Sequence, residues 1–126
     1  MDDEATLEVC PRLTLAFDIL GKRWSALILD VLSHRPARFS EINNAVPRLS
    51  ERVLSARLTE LADAGLVERI QDGSGAHHYE LTTTGDRLRP ALDAIRMWAN
   101  DLHSARASRE SVRPTIEPRS KGPART

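Results

Sequence analysis

FSEINNAVPRLSERVLSARLTELADAG, residues 39–65, decides the fold. It reads as two helices and a turn: Ser40 to Val46, then Pro47-Arg48-Leu49, then a second helix that begins after Ser50 and stops before Gly65. Ser50 suits an N-cap, where a hydroxyl accepts from a free N–H of the first turn, and Ser40 is placed to cap the first helix in the same way. Pro47 disfavours helical geometry in the residue before it, which ends the first helix. Gly65 suits the left-handed position that follows a helix end.

In the second helix Leu54, Leu58 and Leu61 recur at i, i+4 and i+7 and form one buried stripe. At 3.6 residues per turn, Arg52, Ser55, Ala56 and Thr59 then point away from it. That outward face is short and able to donate hydrogen bonds. A helix that enters the DNA major groove needs such a face: one long cation, with small residues that let the backbone approach. Periodicity alone fits an ordinary amphipathic helix with a solvated outer face equally well. The next segment tips the balance.

After Gly65 comes LVERIQDGSGAHHYELTT. Leu66 to Gln71 and Tyr79 to Thr82 read as alternating strands, and Asp72-Gly73-Ser74-Gly75 between them is a hairpin-turn signal. A helix-turn-helix followed directly by a hairpin is the order of a winged helix, whose hairpin tip reaches phosphates or the minor groove.

The chain resembles the HxlR-type members of the MarR-like winged-helix regulators. The residues that carry the resemblance are Cys10-Pro11, then Gly21-Lys22-Arg23-Trp24 leading to Leu27-Ile28-Leu29, then Arg38-Phe39-Ser40-Glu41-Ile42 and Ser50 to Leu61. Ala64 to Arg69, Tyr79-Glu80-Leu81-Thr82, Thr84-Gly85 and Trp98 complete an ordered set over about residues 9 to 103. The resemblance implies a mainly α (α+β) winged helix-turn-helix with a C-terminal dimerisation helix. It also implies a homodimer that binds double-stranded DNA and regulates transcription, repression being the commoner sign for this shape.

The flanking elements fit that frame. Residues 1–9 form an acidic arm, and residues 10–105 the winged domain with its dimerisation helices. Residues 106–126 form a basic, disordered tail, because Arg, Ser and Pro dominate there and periodicity is lost. Pro11 to Leu20 gives a first helix, with Leu13, Phe17 and Leu20 on one side. Gly21-Lys22-Arg23 breaks it. Trp24 to Leu32 is apolar almost all round and reads as a buried central helix. His34 to Ala37 is a loop. Arg38-Phe39 would add a short third strand beside the hairpin, with Phe39 plugging the core. Thr82 to Gly85 would cap a long helix striped by Leu88, Leu92, Ile95, Ala99 and Leu102, with Ala91 and Trp98 widening the stripe. Pro90 predicts a kink or restart in it. So apolar a helix does not lie alone on so small a domain: it folds back on its own domain or, as the resemblance implies, packs with the first helix against the same elements of a second chain, since two half-sites call for a two-fold axis.

For DNA, the groove candidates are Arg52, Ser55, Ala56 and Thr59. Backbone candidates are Ser50, at a helix N-terminus that favours phosphate, and Arg57, which could instead make an internal ion pair. Arg38 and Ser40 are candidates from the first helix of the pair, and Arg69, Ser74, His77 and His78 from the wing. His77 and His78 point to opposite faces of a strand, so they are poor joint metal ligands.

The effector candidates are Cys10 and Trp24. The resemblance implies that a cysteine just before the first-helix proline can sense oxidants or electrophiles. A helix start lowers thiol pKa, and Arg12 and Arg23 would add positive charge. With one cysteine per chain, a sensing disulfide must join two subunits or take up a small thiol. The competing trigger is a small aromatic or quinone-like ligand between Trp24, the first helix and the long helix.

Bulk numbers set the outer limits. At 126 residues the length prior is one domain. The hydrophobic fraction of 40% with 4% aromatic describes an aliphatic core. Formal net charge is zero, which argues for a local DNA-binding patch over a globally basic surface. No apolar run approaches the roughly 18 residues of a membrane span, and the start MDDEATLE lacks a secretion-signal layout. A cytoplasmic protein is the expectation. One cysteine rules out an intrachain disulfide framework, and no cofactor or metal motif appears. No nucleophile elbow or phosphate loop supports an enzyme. A winged helix that binds only protein is the remaining alternative.

Overall fold

The computed structural model describes residues 6–112. Its elements, in order, are α1 (Pro11–Leu20), α2 (Arg23–His34), α3 (Phe39–Ala45), α4 (Glu51–Asp63), β1 (Val67–Gln71), β2 (His77–Leu81), α5 (Thr83–Asp86) and α6 (Arg89–Val112). The chain divides into one unit that ends at Arg89 and a second that begins at Pro90.

In the first unit the core is aliphatic and centred on α2. Ile28, Leu29 and Leu32 of α2 are buried with Ile42 of α3 and Leu54, Leu58 and Leu61 of α4. Burying one such side chain stabilises by about 1.5–3 kcal/mol, so the i, i+4, i+7 stripe anchors α4 firmly. The expectation that α2 is apolar almost all round is corrected at Ser25, which is buried, and at Leu27, which is 40% exposed; Ser33, past the expected end at Leu32, is buried as well. Ser33 is accommodated because its hydroxyl donates to the Asp30 carbonyl at 2.6 Å. The helix also begins one residue earlier than expected and runs on through His34.

The turn between α3 and α4 follows from its residues. Val46 is extended (φ −111°, ψ 104°) ahead of Pro47, as the proline ring demands. Arg48 adopts φ 68°, left-handed backbone at a residue that carries a Cβ. Leu49 turns into the core, and the Asn43 amide donates to its carbonyl at 2.9 Å. Ser50 caps α4, accepting from Val53 N–H at 3.1 Å. At the far end Gly65 has φ 81°. Leu66 N–H reaches back to Leu61 O and Gly65 N–H to Ala62 O, both at 3.0 Å. These two bonds satisfy carbonyls that the helix end leaves open.

β1 and β2 pair antiparallel, Val67 with Leu81 through Gln71 with His77. Strict alternation does not hold. Val67 is buried, Glu68 and Arg69 are exposed, Ile70 is half-buried, and all five residues of β2 are half-buried. The tip closes through Asp72 N–H to Ala76 O at 2.8 Å and Gly75 N–H to Asp72 O at 3.1 Å, with Gly75 at φ 89°.

Three local expectations are corrected. The third-strand contact is a single bridge one residue earlier, Ala37 with Tyr79, while Arg38 caps α3 and Phe39 opens it. Ala37, not Phe39, is the buried residue there; Phe39 is half-buried. Ser40 does not cap α3, because it already lies inside the helix and the Glu41 carboxylate takes the Arg38 N–H at 2.9 Å. Thr82 caps α5 and not the long helix: its hydroxyl accepts from Gly85 N–H at 3.0 Å.

The long helix α6 starts afresh at Arg89, so Pro90 falls in its first turn, where a missing N–H is harmless. In the second unit Leu92 is buried, but Ile95 is 48% and Trp98 62% exposed. α6 continues to Val112, so the tail boundary expected at Arg106 falls inside a helix. Residues 1–5 of the expected arm and 113–126 of the expected tail lie outside the described residues. No helix among the described residues is long and apolar enough to cross a membrane.

Candidate nucleic-acid interface

α4 presents Arg52, Ser55, Ala56 and Thr59, all exposed, on the side away from Leu54, Leu58 and Leu61. No side chain among the described residues pairs with Arg52, so its guanidinium donors face solvent. The Thr59 hydroxyl turns back to the Ser55 carbonyl at 3.0 Å, which leaves a low surface around the arginine. Arg48 is a second exposed cation, at the entrance to α4. The sequence places it in the turn and marks it with no role. Its left-handed backbone sets where its side chain leaves the turn.

The backbone candidates divide. The Ser50 hydroxyl is engaged as the α4 cap. Arg57 is half-buried and its Nη1 donates to Glu60 at 3.1 Å, and Glu60 also takes Lys22 Nζ at 3.3 Å. Arg57 therefore makes the internal ion pair that is the alternative to a phosphate contact, and Lys22 ties the α1–α2 corner to the same carboxylate. Ser40 is exposed on α3.

The wing is internally organised. One Asp72 carboxylate oxygen accepts from Ser74 N–H at 2.9 Å, Ser74 Oγ at 2.6 Å and Ala76 N–H at 3.2 Å. The other accepts from Arg38 Nη2 at 3.1 Å. The Ser74 hydroxyl and amide, then the Arg38 guanidinium, hold the Asp72 carboxyl well below the usual carboxylate range, since every one of them favours the charged form. Arg38 Nη1 also donates to the His77 carbonyl at 3.3 Å. Arg69 Nη2 stands 3.4 Å from His77 Nδ1, and His78 Nε2 3.3 Å from Glu80. Of the twelve DNA candidates, the structure thus brings Arg38 and Ser74 together on Asp72, which reads from the sequence only as a turn former, and Arg38 links them to His77 through its carbonyl.

Cys10 is the N-cap residue of α1 and is exposed. Its carbonyl accepts from the amides of Leu13 and Thr14, both at 3.0 Å. Trp24 is half-buried, with the Arg23 guanidinium 4.6 Å over its ring centroid. No group of three or more His, Cys, Asp or Glu side chains among the described residues is placed to hold a metal ion.

A capped helix-turn-helix with an open arginine-bearing face, followed by a hairpin, defines the winged helix-turn-helix class of DNA-binding protein. Residues 19–107 match the HxlR-like helix-turn-helix family, and the chain belongs to that family. It is 48% identical to the uncharacterized HTH-type transcriptional regulator YvaP of Bacillus subtilis over 96 residues, 75% of this chain and 89% of the relative. It is also similar to the reduced form of the B. subtilis regulator YodB, at 37% identity and TM-score 0.65, over 74% of this chain and 93% of that one. The quinone-bound form of YodB matches at 38% identity and TM-score 0.64, over 73% and 99%. The protein is a helix-turn-helix transcriptional regulator, and its relatives are regulators, not enzymes.

Proposed function

We propose that this regulator acts as a homodimeric, sequence-specific repressor. Arg52, Ser55, Ala56 and Thr59 of α4 enter the major groove, and the wing lies over the neighbouring backbone. The observation that carries the reading is the α4 face itself: an exposed, unpaired guanidinium among small side chains, on a helix locked from behind by three buried leucines. Dimerisation is supported by the apolar side chains that α1 and α6 each leave open: Leu13 and Phe17 on α1 are 50% and 58% exposed, and Ile95 and Trp98 on α6 are 48% and 62% exposed. Monomeric proteins rarely leave such surface uncovered.

The switch proposed is chemical modification of Cys10, which is exposed at a helix start. Two Cys10 thiols, one per subunit, would lose two protons and two electrons to an oxidant and form one disulfide. Alternatively the thiolate would add to an electrophilic carbon such as that of a quinone. A second reading, a quinone-like molecule bound without covalent change, draws on the quinone-bound form of YodB. Either event would re-angle the two recognition helices and change their spacing.

The test is a gel shift with the duplex upstream of the protein's own gene, run at several salt concentrations. Salt-sensitive, sequence-dependent retardation that Arg52→Ala abolishes is the expected result. No retardation would leave a protein-binding module in its place. Oxidant or quinone should release the wild type. Release that survives Cys10→Ser would move the trigger from the thiol to a bound ligand.

A further inference from the structure

The outer half of the wing is a lever. Its root is fixed where Ala37 and Tyr79 exchange backbone hydrogen bonds of 3.0 and 2.8 Å. From Tyr79, β2 runs two residues to His77, roughly 7 Å at the usual strand rise, and the turn carries the chain on through Ala76 to Gly75. A two-stranded hairpin is only marginally stable by itself, so this lever needs a brace if its tip is to meet DNA in one place. Arg38 is the residue positioned to supply one. It sits at the N-cap of α3, one residue past the root. Its guanidinium spans the gap to the His77 carbonyl on β2 and the Asp72 carboxylate at the tip. The start of α3 is itself held: Glu41 takes the Arg38 amide at 2.9 Å and Arg35 Nη2 at 3.1 Å. On the wing side, Asp72 organises the turn through Ser74 and Ala76. One guanidinium therefore joins the first helix of the DNA-reading pair to the element that closes the wing tip.

We infer that Arg38 is a positioning residue for the wing: it holds Asp72 and the His77 carbonyl so that the tip is preset for the duplex, and it does not itself serve as a phosphate ligand. The inference rests on the DNA-binding reading above. It also gives Asp72 a function. A bare carboxylate at a DNA-facing tip would repel phosphate, whereas here it is the anchor that a cation of the helix pair grips.

The two roles of Arg38 separate in a double-mutant cycle. Arg38→Met, Asp72→Asn and the double variant are titrated with the operator duplex over a range of salt. Asparagine keeps the oxygen that accepts from Ser74 but loses the charge that holds Arg38. Each single variant should bind about fivefold more weakly, the double variant no more weakly than either, and the slope of log K against log salt should stay that of the wild type. Amide hydrogens of residues 73–77 should exchange faster in both single variants while those of α4 keep their protection, which separates a loosened wing from an unfolded domain. A phosphate ligand behaves otherwise: Arg38→Met would lower the salt slope by about one, and Asp72→Asn would leave binding unchanged or tighten it. That pattern, losses that multiply in the double variant, or unchanged exchange at the tip would overturn the inference. A wild-type protein that no duplex retains would instead remove the DNA-binding reading, and the positioning role with it.

Discussion

Gly85 is the position where one added methyl group should do most damage. It opens no turn of unusual geometry; it is buried on α5, against the backbone of Leu66 between α4 and β1. A Cβ there would overlap the Leu66 carbonyl oxygen and stand 3.1 Å from the Leu66 carbonyl carbon and 3.3 Å from its Cα. The obstacle is backbone, and it cannot rotate aside. Leu66 is held by its own N–H to Leu61 O and by Thr82 N–H on its carbonyl, both at 3.0 Å. The Thr82 hydroxyl adds a 2.6 Å bond to Gly65 O. Making room means giving up the Thr82–Leu66 bond, about 1 kcal/mol, on top of about 1–3 kcal/mol for overpacking. The better helix propensity of alanine returns up to about 1 kcal/mol. The net loss for Gly85→Ala is about 2 kcal/mol, a fall in Tm of roughly 8–15 °C for a unit of this size. Gly73 is the matched control, because its Cβ would meet nothing within 4 Å, so Gly73→Ala should be neutral or slightly stabilising. Thermal melts at one fixed protein concentration, as the proposed dimer would require, decide it. If Gly85→Ala melts within about 2 °C of wild type, the junction yields easily and the reasoning fails.

Three further outcomes follow from the same contacts. Ser50→Ala removes the acceptor for Val53 N–H and should cost about 1 kcal/mol in a urea melt; an unchanged midpoint would mean water caps α4 equally well. Arg48→Gly relieves left-handed backbone at φ 68°, which costs an ordinary residue about 1–2 kcal/mol. Part of that gain is cancelled by the freer unfolded chain. A small rise in Tm is expected, and a fall would show that the Arg48 side chain stabilises the turn. Asp72, held by Ser74 and Arg38, and Glu41, held by Arg35 and the Arg38 amide, both have carboxyl pKa values lowered by folding. Lowered folded values mean stabilisation that is complete above the ordinary carboxylate range near pH 4 and is lost as pH falls below it. An acid series of melts should therefore decline below about pH 4, and Glu41→Gln with Asp72→Asn should flatten that limb.

What was legible in the sequence was what neighbouring residues settle among themselves. The leucine stripe of α4, the Ser50 cap, the extended residue before Pro47 and the left-handed Gly65 each depend on positions within about two helical turns, and each appears as read. The misread details depend on distant partners. Thr82 looked like the cap of a long helix, because nothing local shows that its hydroxyl also bonds Gly65, seventeen residues back. That bond sets α5 across the junction and leaves α6 to restart at Arg89. Arg38-Phe39 looked like strand because the β contact at Ala37 is a single bridge to Tyr79, too short to leave a period of two. Arg38 reads locally as a phosphate ligand, and the positioning role proposed for it instead rests on a carboxylate partner 34 positions along the chain. An arginine at a helix start signals anion binding whether the anion is a phosphate or an aspartate of the same protein, since charge and donor geometry are alike to both. Only the fold brings one of them close, and here it places the Asp72 carboxylate 3.1 Å from the Arg38 guanidinium, the contact on which the proposed positioning role rests. The same criterion sharpens the case for Arg52. It is a cation of the same type on a neighbouring helix, no carboxylate among the described residues pairs with it, and the proposed duplex would supply the anion it suits.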